Sequence, residues 1–248
     1  MVIEHGRVMR GGLAPFPCPM LERAKQVIDE VAKQTDQIIL FHSLSGKDSI
    51  TLLDLCYPKF KRVVCVFMYI VKDLSHIEEY YRYAKMKYPN VEFIQVPHYA
   101  LYSYIKYGYM GCRQNPKQRL WTLSDIAEKV KEMTGIEWSC YGFKQSDSLN
   151  RRLMLRSYKD GMEAICWKSK KFYPLSTYKN ADVKAYIFKN HLKQPEAYGG
   201  KGQSQGTDIA DLNYHIYLRD HFPADLEKIY AVFPQTRVVL LDGKRFDQ

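Results

Sequence analysis

The chain has 248 residues, 46% hydrophobic and 26% charged, which is enough apolar material to bury a core and excludes a disordered segment. Its 37 Lys and Arg against 27 Asp and Glu give a formal net charge of +10, a balance that favours anionic partners such as nucleotides, nucleic acid or acidic membranes, although excess lysine also solvates a surface. Six cysteines with no C-x-x-C pair argue against a secreted disulfide scaffold, the opening MVIEHGRVMRGG lacks a signal peptide's apolar run, and no stretch is long enough to span a membrane, so the expected location is cytoplasmic.

In chain order, GGLAPFPCP (11–19) reads as a loop or arm because of its glycines and prolines. LERAKQVIDEVAKQ puts Ala24, Val27, Ile28 and Val31 on one helical face. QIILFHS is a strand, LSGKDS a polar loop and DSITLLDLCY a helix. RVVCVFMYI, a continuous apolar run, suits a strand buried on both faces. SHIEEYYRYAKMKYP is a helix ending at Pro89, and VEFIQVP is a third strand. After the Tyr-rich HYALYSYIKYGYMGCRQNPKQRL comes the helix TLSDIAEKVKEMTG, stopped by Gly135. IEWSCYGF is a fourth strand and SLNRRLMLRSYKDG a helix. MEAICWKSKKFYPLS reads as a strand or hairpin, ADVKAYIFKNH and DLEKIYAVFP as helices, and RVVLLDG as a last short strand.

Alternating strands and helices predict an α/β fold, a doubly wound, mostly parallel sheet with helices on both faces. The expected division is an N-terminal arm (1–19), a nucleotide-binding domain (20–215) and a C-terminal extension (216–248) packed on the same domain. Ligands of such sheets bind beyond the carboxyl ends of the strands, where LSGKDS falls.

That loop is not a Walker A loop: Phe41 stands where the first glycine belongs, and Asp48 separates Lys47 from Ser49. It nevertheless carries the parts of an anion cradle. Ser43, Ser45 and Ser49 offer hydroxyls, Gly46 permits close backbone approach, and the following helix presents its positive end. An ordinary Ser/Asp helix cap is the alternative reading.

Strand–S-x-S-G-K-D-S–helix resembles the pyrophosphate-binding PP-loop, usually S-G-G-x-D-S. With Ser49 aligned to its last serine, Leu44 replaces the first serine and Ser45 the first glycine. A second stretch, GFKQSDSLNR (142–151), is similar to the G-x-R-x-x-E-S-x-x-R segment of phosphoadenosine phosphosulfate (PAPS) reductases. Gly142, Ser148 and Arg151 match, Lys144 stands for Arg and Asp147 for Glu. With Arg152 and Arg156 nearby, Lys144 and Arg151 can build a cationic pocket, or a solvated basic helix face. A third, YPLSTYKNADVKAYI, resembles the family's P-L-x-x-W-x-x-x-D-V-x-x-Y-I: Pro174, Leu175, Asp182, Val183, Tyr186 and Ile187 match, and Tyr178 takes the Trp position. GGKGQSQG (199–206) looks like the family's glycine-rich loop.

The resemblance implies the adenine nucleotide alpha hydrolase-like fold and a nucleotide pocket. Its phosphate- and nucleotide-binding residues would be Ser43, Ser45, Gly46, Lys47, Ser49, Tyr69, Gly142, Lys144, Ser148, Arg151 and Arg152, with Lys47 and Asp48 catalytic. The family's C-terminal Glu-Cys-Gly-Leu-His segment and its paired cluster cysteines are missing, so no iron–sulfur cluster is expected. Cys112 is the best substitute nucleophile, against an incidental loop cysteine.

The leading expectation is an enzyme that binds ATP with Mg²⁺, cleaves the α–β bond and adenylylates an acceptor the sequence does not identify. A PAPS reductase is the alternative enzyme. A nucleotide-sensing or nucleic-acid-binding accessory protein is the non-enzymatic alternative, motivated by charge and by the tyrosines from Tyr99 to Tyr109, which equally suit a helix packed on a core. His42 and His98, at strand ends, are possible general bases but more often structural histidines.

Overall fold

The computed structural model describes residues 19–195 and 209–243; most of the expected arm and the glycine-rich run 199–206 lie outside the described residues. In chain order the elements are α1 (Pro19–Ala32), β1 (Gln37–Phe41), α2 (Lys47–Cys56), β2 (Arg62–Tyr69), α3 (Ser75–Lys87), β3 (Glu92–Pro97) and α4 (Tyr99–Tyr107). They continue with α5 (Leu123–Thr134), β4 (Ser139–Cys140), α6 (Leu149–Arg156), β5 (Ile165–Cys166), β6 (Lys171–Phe172), α7 (Asn180–Lys189), α8 (Leu212–His221), α9 (Pro223–Val232) and α10 (Val238–Gly243).

Strand alternation in β1 organises these elements into layers. Ile38 and Leu40 pack with the apolar stripe of α1 (Ala24, Val27, Ile28, Val31), with Leu52 of α2, Ala84 of α3 and Ile187 of α7. Ile39 and Phe41 face the other way, onto Ile126, Ala127 and Val130 of α5 and Leu155 of α6. The sheet order is β3-β2-β1-β4-β6-β5, parallel throughout except for the antiparallel β5–β6 hairpin. This is a doubly wound, mostly parallel α/β fold. The chain travels outward from β1 through β2 to β3 and then crosses to β4 on the opposite side of β1. The order therefore reverses between β1 and β4, which is where such a sheet opens a crevice.

Local chemistry sets the element ends. Thr122 and Asp125 form a reciprocal capping box on α5, and Gly135, at φ 70, closes it in the left-handed conformation. Arg62 holds Glu92 with two bonds of 2.7 and 3.1 Å across the β2–β3 edge.

Three expectations change. RVVLLDG is not a strand: Pro234–Arg237 is a 3₁₀ turn that runs into α10. A short apolar run has no period that separates strand from helix, and here Leu240 packs on the helical cluster of α8 and α9. Strand four is reduced to two ladder residues, Ser139 and Cys140. A helix not anticipated, α8, fills 212–221.

α8 and α9 form a third core with the segment after β2, in which Ile70 and Val71 meet Leu218, Ile229 and Phe233. Asp225, fully buried, fastens them to α3. It accepts the backbone N–H of Ser75 (2.8 Å) and His76 (3.0 Å), the first orphan donors of that helix, and the Nδ1–H of His76 (2.9 Å). Burial alone would raise this carboxyl, but the N–H groups of Ser75 and His76 outweigh it and hold the pKa at about 2. A depressed folded-state pKa contributes stability that is present above the unfolded value, near 4, and is lost as pH falls from there toward about 2. Asp225→Ala should therefore cost about 3 kcal/mol at neutral pH. Urea denaturation should show the gap between variant and wild type narrowing as pH falls from about 4 toward 2; a pH-independent gap would contradict the anchoring role.

Candidate functional site

At the carboxyl end of β1 the chain makes a tight loop, residues 42–46, before α2. Ser43 N–H donates to Ser49 Oγ (2.9 Å), and the two hydroxyls lie 3.0 Å apart. Leu44 takes φ 59, costly for a residue with a Cβ, and its N–H donates to His42 Nδ1 at 2.9 Å. Gly46 is the N-cap of α2 and has no side chain with which to cap it. A Cβ there would collide with Ser43 Oγ and displace that hydroxyl from its place beside Ser49. The first amides of α2 are thus left without a side-chain acceptor, the arrangement that receives an anion at a helix N-terminus.

The stretch after β4 presses against this loop. A Cβ on Gly142 would stand 3.1 Å from Asp48 Cβ and 3.4 Å from Leu52 Cδ1, so a larger residue would push the two segments apart. Lys144 joins them. It is 1% exposed, with Nζ 2.8 Å from Asp48 Oδ1 and 3.0 Å from Asp147 Oδ1. The contact to Asp48 Oδ1 is an ion pair off the hydrogen-bond direction, which leaves that buried oxygen without a donor in line. Lys47 Nζ lies 3.3 Å from the other Asp48 oxygen. Asp147 also accepts the Lys144 backbone N–H (2.9 Å) and Arg151 Nη1–H (2.8 Å). Burial alone would raise the Asp147 carboxyl; Lys144 and Arg151 outweigh it and bring it below the usual carboxylate value. Arg151 also lies 4.1 Å over the ring of Phe143.

These two segments border a cavity of about 410 Å³, within the range of small-molecule sites (roughly 300–1,000 Å³). Of the residues singled out from sequence, Ser43, Ser45, Gly46, Asp48, Ser49, Gly142 and Arg151 line it. Lys47, Tyr69, Lys144, Ser148 and Arg152 stand outside the lining. Lys144 is held beneath it between carboxylates. Ser148 caps α6 by accepting Arg151 N–H (3.2 Å). Arg152 and Arg156 bond Gln145 through its carbonyl and its side chain, so the expected cluster of cations contributes one lining member, Arg151. Tyr69 turns its ring to Lys72.

Other expectations resolve similarly. His98 caps α4 by accepting Ala100 N–H (3.1 Å), and burial lowers its pKa. Burial lowers the His42 imidazole to about 3, so that ring is not poised as a base near neutral pH. Cys112 is buried, donates its thiol to Tyr104 O (3.1 Å), and has its pKa raised by burial, the opposite of an activated thiolate. In the Tyr-rich run, Tyr102 stacks on Trp121 and Tyr104 on Tyr109, so these rings are engaged in packing, whereas Tyr107 is exposed. Among the described residues no group of three or more His, Cys, Asp and Glu is arranged to hold a metal ion, and no helix is long and apolar enough to cross a membrane.

Sequence reasoning missed the far wall of the cavity. There Leu74, His76 and Ile77 of the β2–α3 segment meet Ile209, Tyr214 and Ile229 of the C-terminal helices. The ionised Asp225 makes His76 Nδ1 the donor, so His76 Nε2 accepts from Tyr214 OH at 3.2 Å. No motif announces this wall; only the apolar periodicity of DLEKIYAVFP hints that a helix there buries a face.

No protein-family model matches the chain, and no curated protein matches it. Among solved structures it is similar to the NH3-dependent NAD synthetase of Campylobacter jejuni, at 16% identity over 89% of this chain and 95% of that one, with a TM-score of 0.46. It is also similar to the phosphoadenylyl-sulfate reductase of Candida auris, at 15% identity over 79% and 100%, with a TM-score of 0.48. A third likeness is to the U34-tRNA thiolase of Methanococcus maripaludis with its [4Fe-4S] cluster, at 15% identity over 89% and 80%, with a TM-score of 0.45. Likenesses this distant assign neither family nor activity.

The network has a direct consequence for stability. Removing a buried charge's partner leaves the rest uncompensated, so Lys144→Met should destabilise the protein by about 3–5 kcal/mol. Lys47→Ala, which loses only a 3.3 Å pair with Asp48, should cost less than about 1 kcal/mol. Chemical denaturation of both variants measures the difference; equal losses would mean that Lys144 does not hold the two segments together.

Proposed function

We propose that the chain is a nucleotide-binding enzyme of the PP-loop kind that binds ATP across the β1/β4 switch point and cleaves it between the α- and β-phosphates, transferring AMP to an acceptor. One observation carries this reading: an uncapped helix N-terminus with three serine hydroxyls and a space-restricted glycine meets a second, arginine-bearing loop over one cavity. The three sequence resemblances support it independently.

In the proposed reaction the acceptor's nucleophile forms a bond to the α-phosphorus as the bond from that phosphorus to the β-bridging oxygen breaks. Negative charge grows on the departing pyrophosphate. The amides at the start of α2 and the hydroxyls of Ser43, Ser45 and Ser49 are the groups that would bind it, already oriented and requiring little reorganisation, and Lys47, paired with Asp48 outside the cavity lining, would turn toward it. Arg151, steadied by Asp147 and Phe143, would hold a second anionic portion of the ligand. Mg²⁺ commonly travels with nucleotide phosphates and takes few protein ligands; both Asp48 oxygens face lysine ammoniums, so phosphate oxygens would hold the ion, which would supply further charge neutralisation. The reductase alternative loses support from the state of Cys112.

Incubation with α-labelled ATP and a panel of amine, carboxylate and hydroxyl acceptors tests the reaction. Labelled AMP or an adenylylated product should form with wild type and fall at least tenfold in Lys47→Ala, the loss expected from one charge-assisted contact of about 1.5–3 kcal/mol. Product at equal rates in both proteins, or in neither, would contradict the assignment. In calorimetric titrations Arg151→Ala should weaken ATP and PAPS roughly tenfold while leaving adenosine nearly unchanged; equal losses for all three would remove Arg151 from the anion site.

A further inference from the structure

We propose that the segment joining α4 to α5 is a docking surface for a single-stranded nucleic acid, and that such a strand is the class of acceptor brought to the nucleotide site. The acceptor role rests on the nucleotide reading above; the surface stands on separate observations.

From Phe93 to Ser124 the chain has no Asp or Glu, but it carries Lys106, Arg113, Lys117 and Arg119 among five tyrosines and Trp121. Elsewhere lysines sit beside carboxylates, as Lys25 does with Glu22, Lys33 with Glu30 and Lys131 with Glu128. Among the described residues Lys106, Arg113 and Lys117 have no carboxylate at ion-pair distance, and Arg119 reaches Asp125 at 3.5 Å. The segment therefore presents positive charge with little local neutralisation.

Its fold gathers these groups. Asn115 N–H donates to Ile105 O (2.8 Å), Cys112 Sγ–H to Tyr104 O (3.1 Å) and Gln114 Nε2–H to Lys106 O (3.3 Å). Residues 112–115 thus lie back along the last turn of α4, which brings Arg113 to the same end of that helix as Lys106 and Tyr107. Trp121 stacks on Tyr102 at 5.5 Å, and Arg119 lies 5.1 Å over the indole, so the far end of the segment is tied to α4 as well. Tyr107 is 66% exposed; Tyr99 and Tyr109, each against one neighbouring ring, are 39% and 37% exposed. His98, just before α4, and Leu123, at the start of α5, both line the cavity, so the segment leaves the cavity rim and returns to it.

Unpaired cations beside exposed rings suit phosphates joined to bases whose faces are free for stacking. A duplex offers the phosphates without the free faces, and an acidic peptide offers charge without a repeating flat ring. A lipid surface calls for protruding aliphatic side chains, and Leu120 is the one large aliphatic side chain exposed on this segment. A strand held here passes the cavity mouth, where one of its nucleophilic atoms would bond to the α-phosphorus as pyrophosphate departs.

Fluorescence anisotropy over a range of salt concentrations tests the surface with labelled RNA and DNA strands of about 12 nucleotides, the matching duplex and polyglutamate. Cosedimentation tests vesicles containing phosphatidylserine. Wild type is compared with a triple variant (Lys106→Gln, Arg113→Gln and Lys117→Gln), with Tyr107→Ala, and with a charge-matched control on other elements (Lys168→Gln, Lys184→Gln and Lys189→Gln). Wild type should bind at least one single strand more tightly than the duplex, polyglutamate or vesicles. Its log affinity should fall against log salt with a slope of about −2 to −3, as three or four phosphate contacts on a single strand require. The triple variant should bind at least tenfold more weakly and lose about 2 of that slope. Tyr107→Ala should lose roughly fivefold or more at unchanged slope, and the control should match wild type. Failure to bind either strand overturns the proposal. So does an equal loss in the control, which would mean net charge alone, and so do duplex, polyglutamate or vesicles held as tightly as the strands. If the triple variant does not melt like wild type, Tyr107→Ala and the wild-type ligand series decide. With α-labelled ATP, label should enter the bound strand or leave as AMP at a rate that depends on it; wild type that binds both and does neither overturns the acceptor role. Wild type that binds a strand but no ATP overturns the nucleotide reading and leaves the surface standing, whereas wild type that binds ATP but no strand overturns this inference alone.

Discussion

The buried ammonium of Lys144 is the interaction on which the site depends. It lies between Asp48, in the first turn of α2, and Asp147, in the loop after β4. Those two segments belong to strands that are neighbours in the sheet but about a hundred residues apart in the chain, and nothing in the strand ladder fixes their loops relative to each other. A charge removed from water needs its partners close, so Lys144 sets the separation of the loops as strictly as a packed side chain would. Gly142 sets the same separation sterically, through its approach to Asp48 and Leu52. The cavity lies where these two constraints bring the segments together.

A second clamp closes the cavity from the opposite side. Asp225 caps α3 from a different part of the chain and through His76 reaches Tyr214. α8 and α9 are thereby held against the β2–α3 segment, and their apolar side chains complete a wall that the sheet and its helices leave open. The floor of the site is therefore polar and anion-directed, while the far wall is apolar with a short chain of hydrogen-bonded polar groups. In the proposed reading the phosphates of a nucleotide would lie on the polar floor and its base against the apolar wall.

The sheet was legible because its strands are continuous apolar runs and its helices carry clear stripes; the face of Ala24, Val27, Ile28 and Val31 is an example. The loop that borders the cavity was legible as well, as a run of small and polar residues between a strand and a helix, a pattern that serves an anion cradle or a plain helix cap. Side-chain direction was not. Lys144, Arg151, Arg152 and Arg156 look equivalent in sequence, yet one is buried under the cavity, one lines it and two bond Gln145. Of these four, Lys144 alone is captured by a distant residue, Asp48, which helical spacing cannot show; Arg151 pairs with Asp147 one turn back, and Arg152 and Arg156 reach back to Gln145. Of the C-terminal helices, α9 was legible from DLEKIYAVFP, while α8 and α10 escaped: DLNYHIYLRDH has no strong amphipathic period, and α10 is too short for one.

The central claim is that residues 42–49 and 142–151 form one nucleotide site. Hydrogen–deuterium exchange with and without saturating ATP measures this most directly, because a ligand seated on backbone amides slows their exchange. The account predicts that both segments gain protection together, while the β5–β6 hairpin, remote from the cavity lining, does not change. Protection confined to one of the two segments, or absent from both with ATP demonstrably bound, would contradict it.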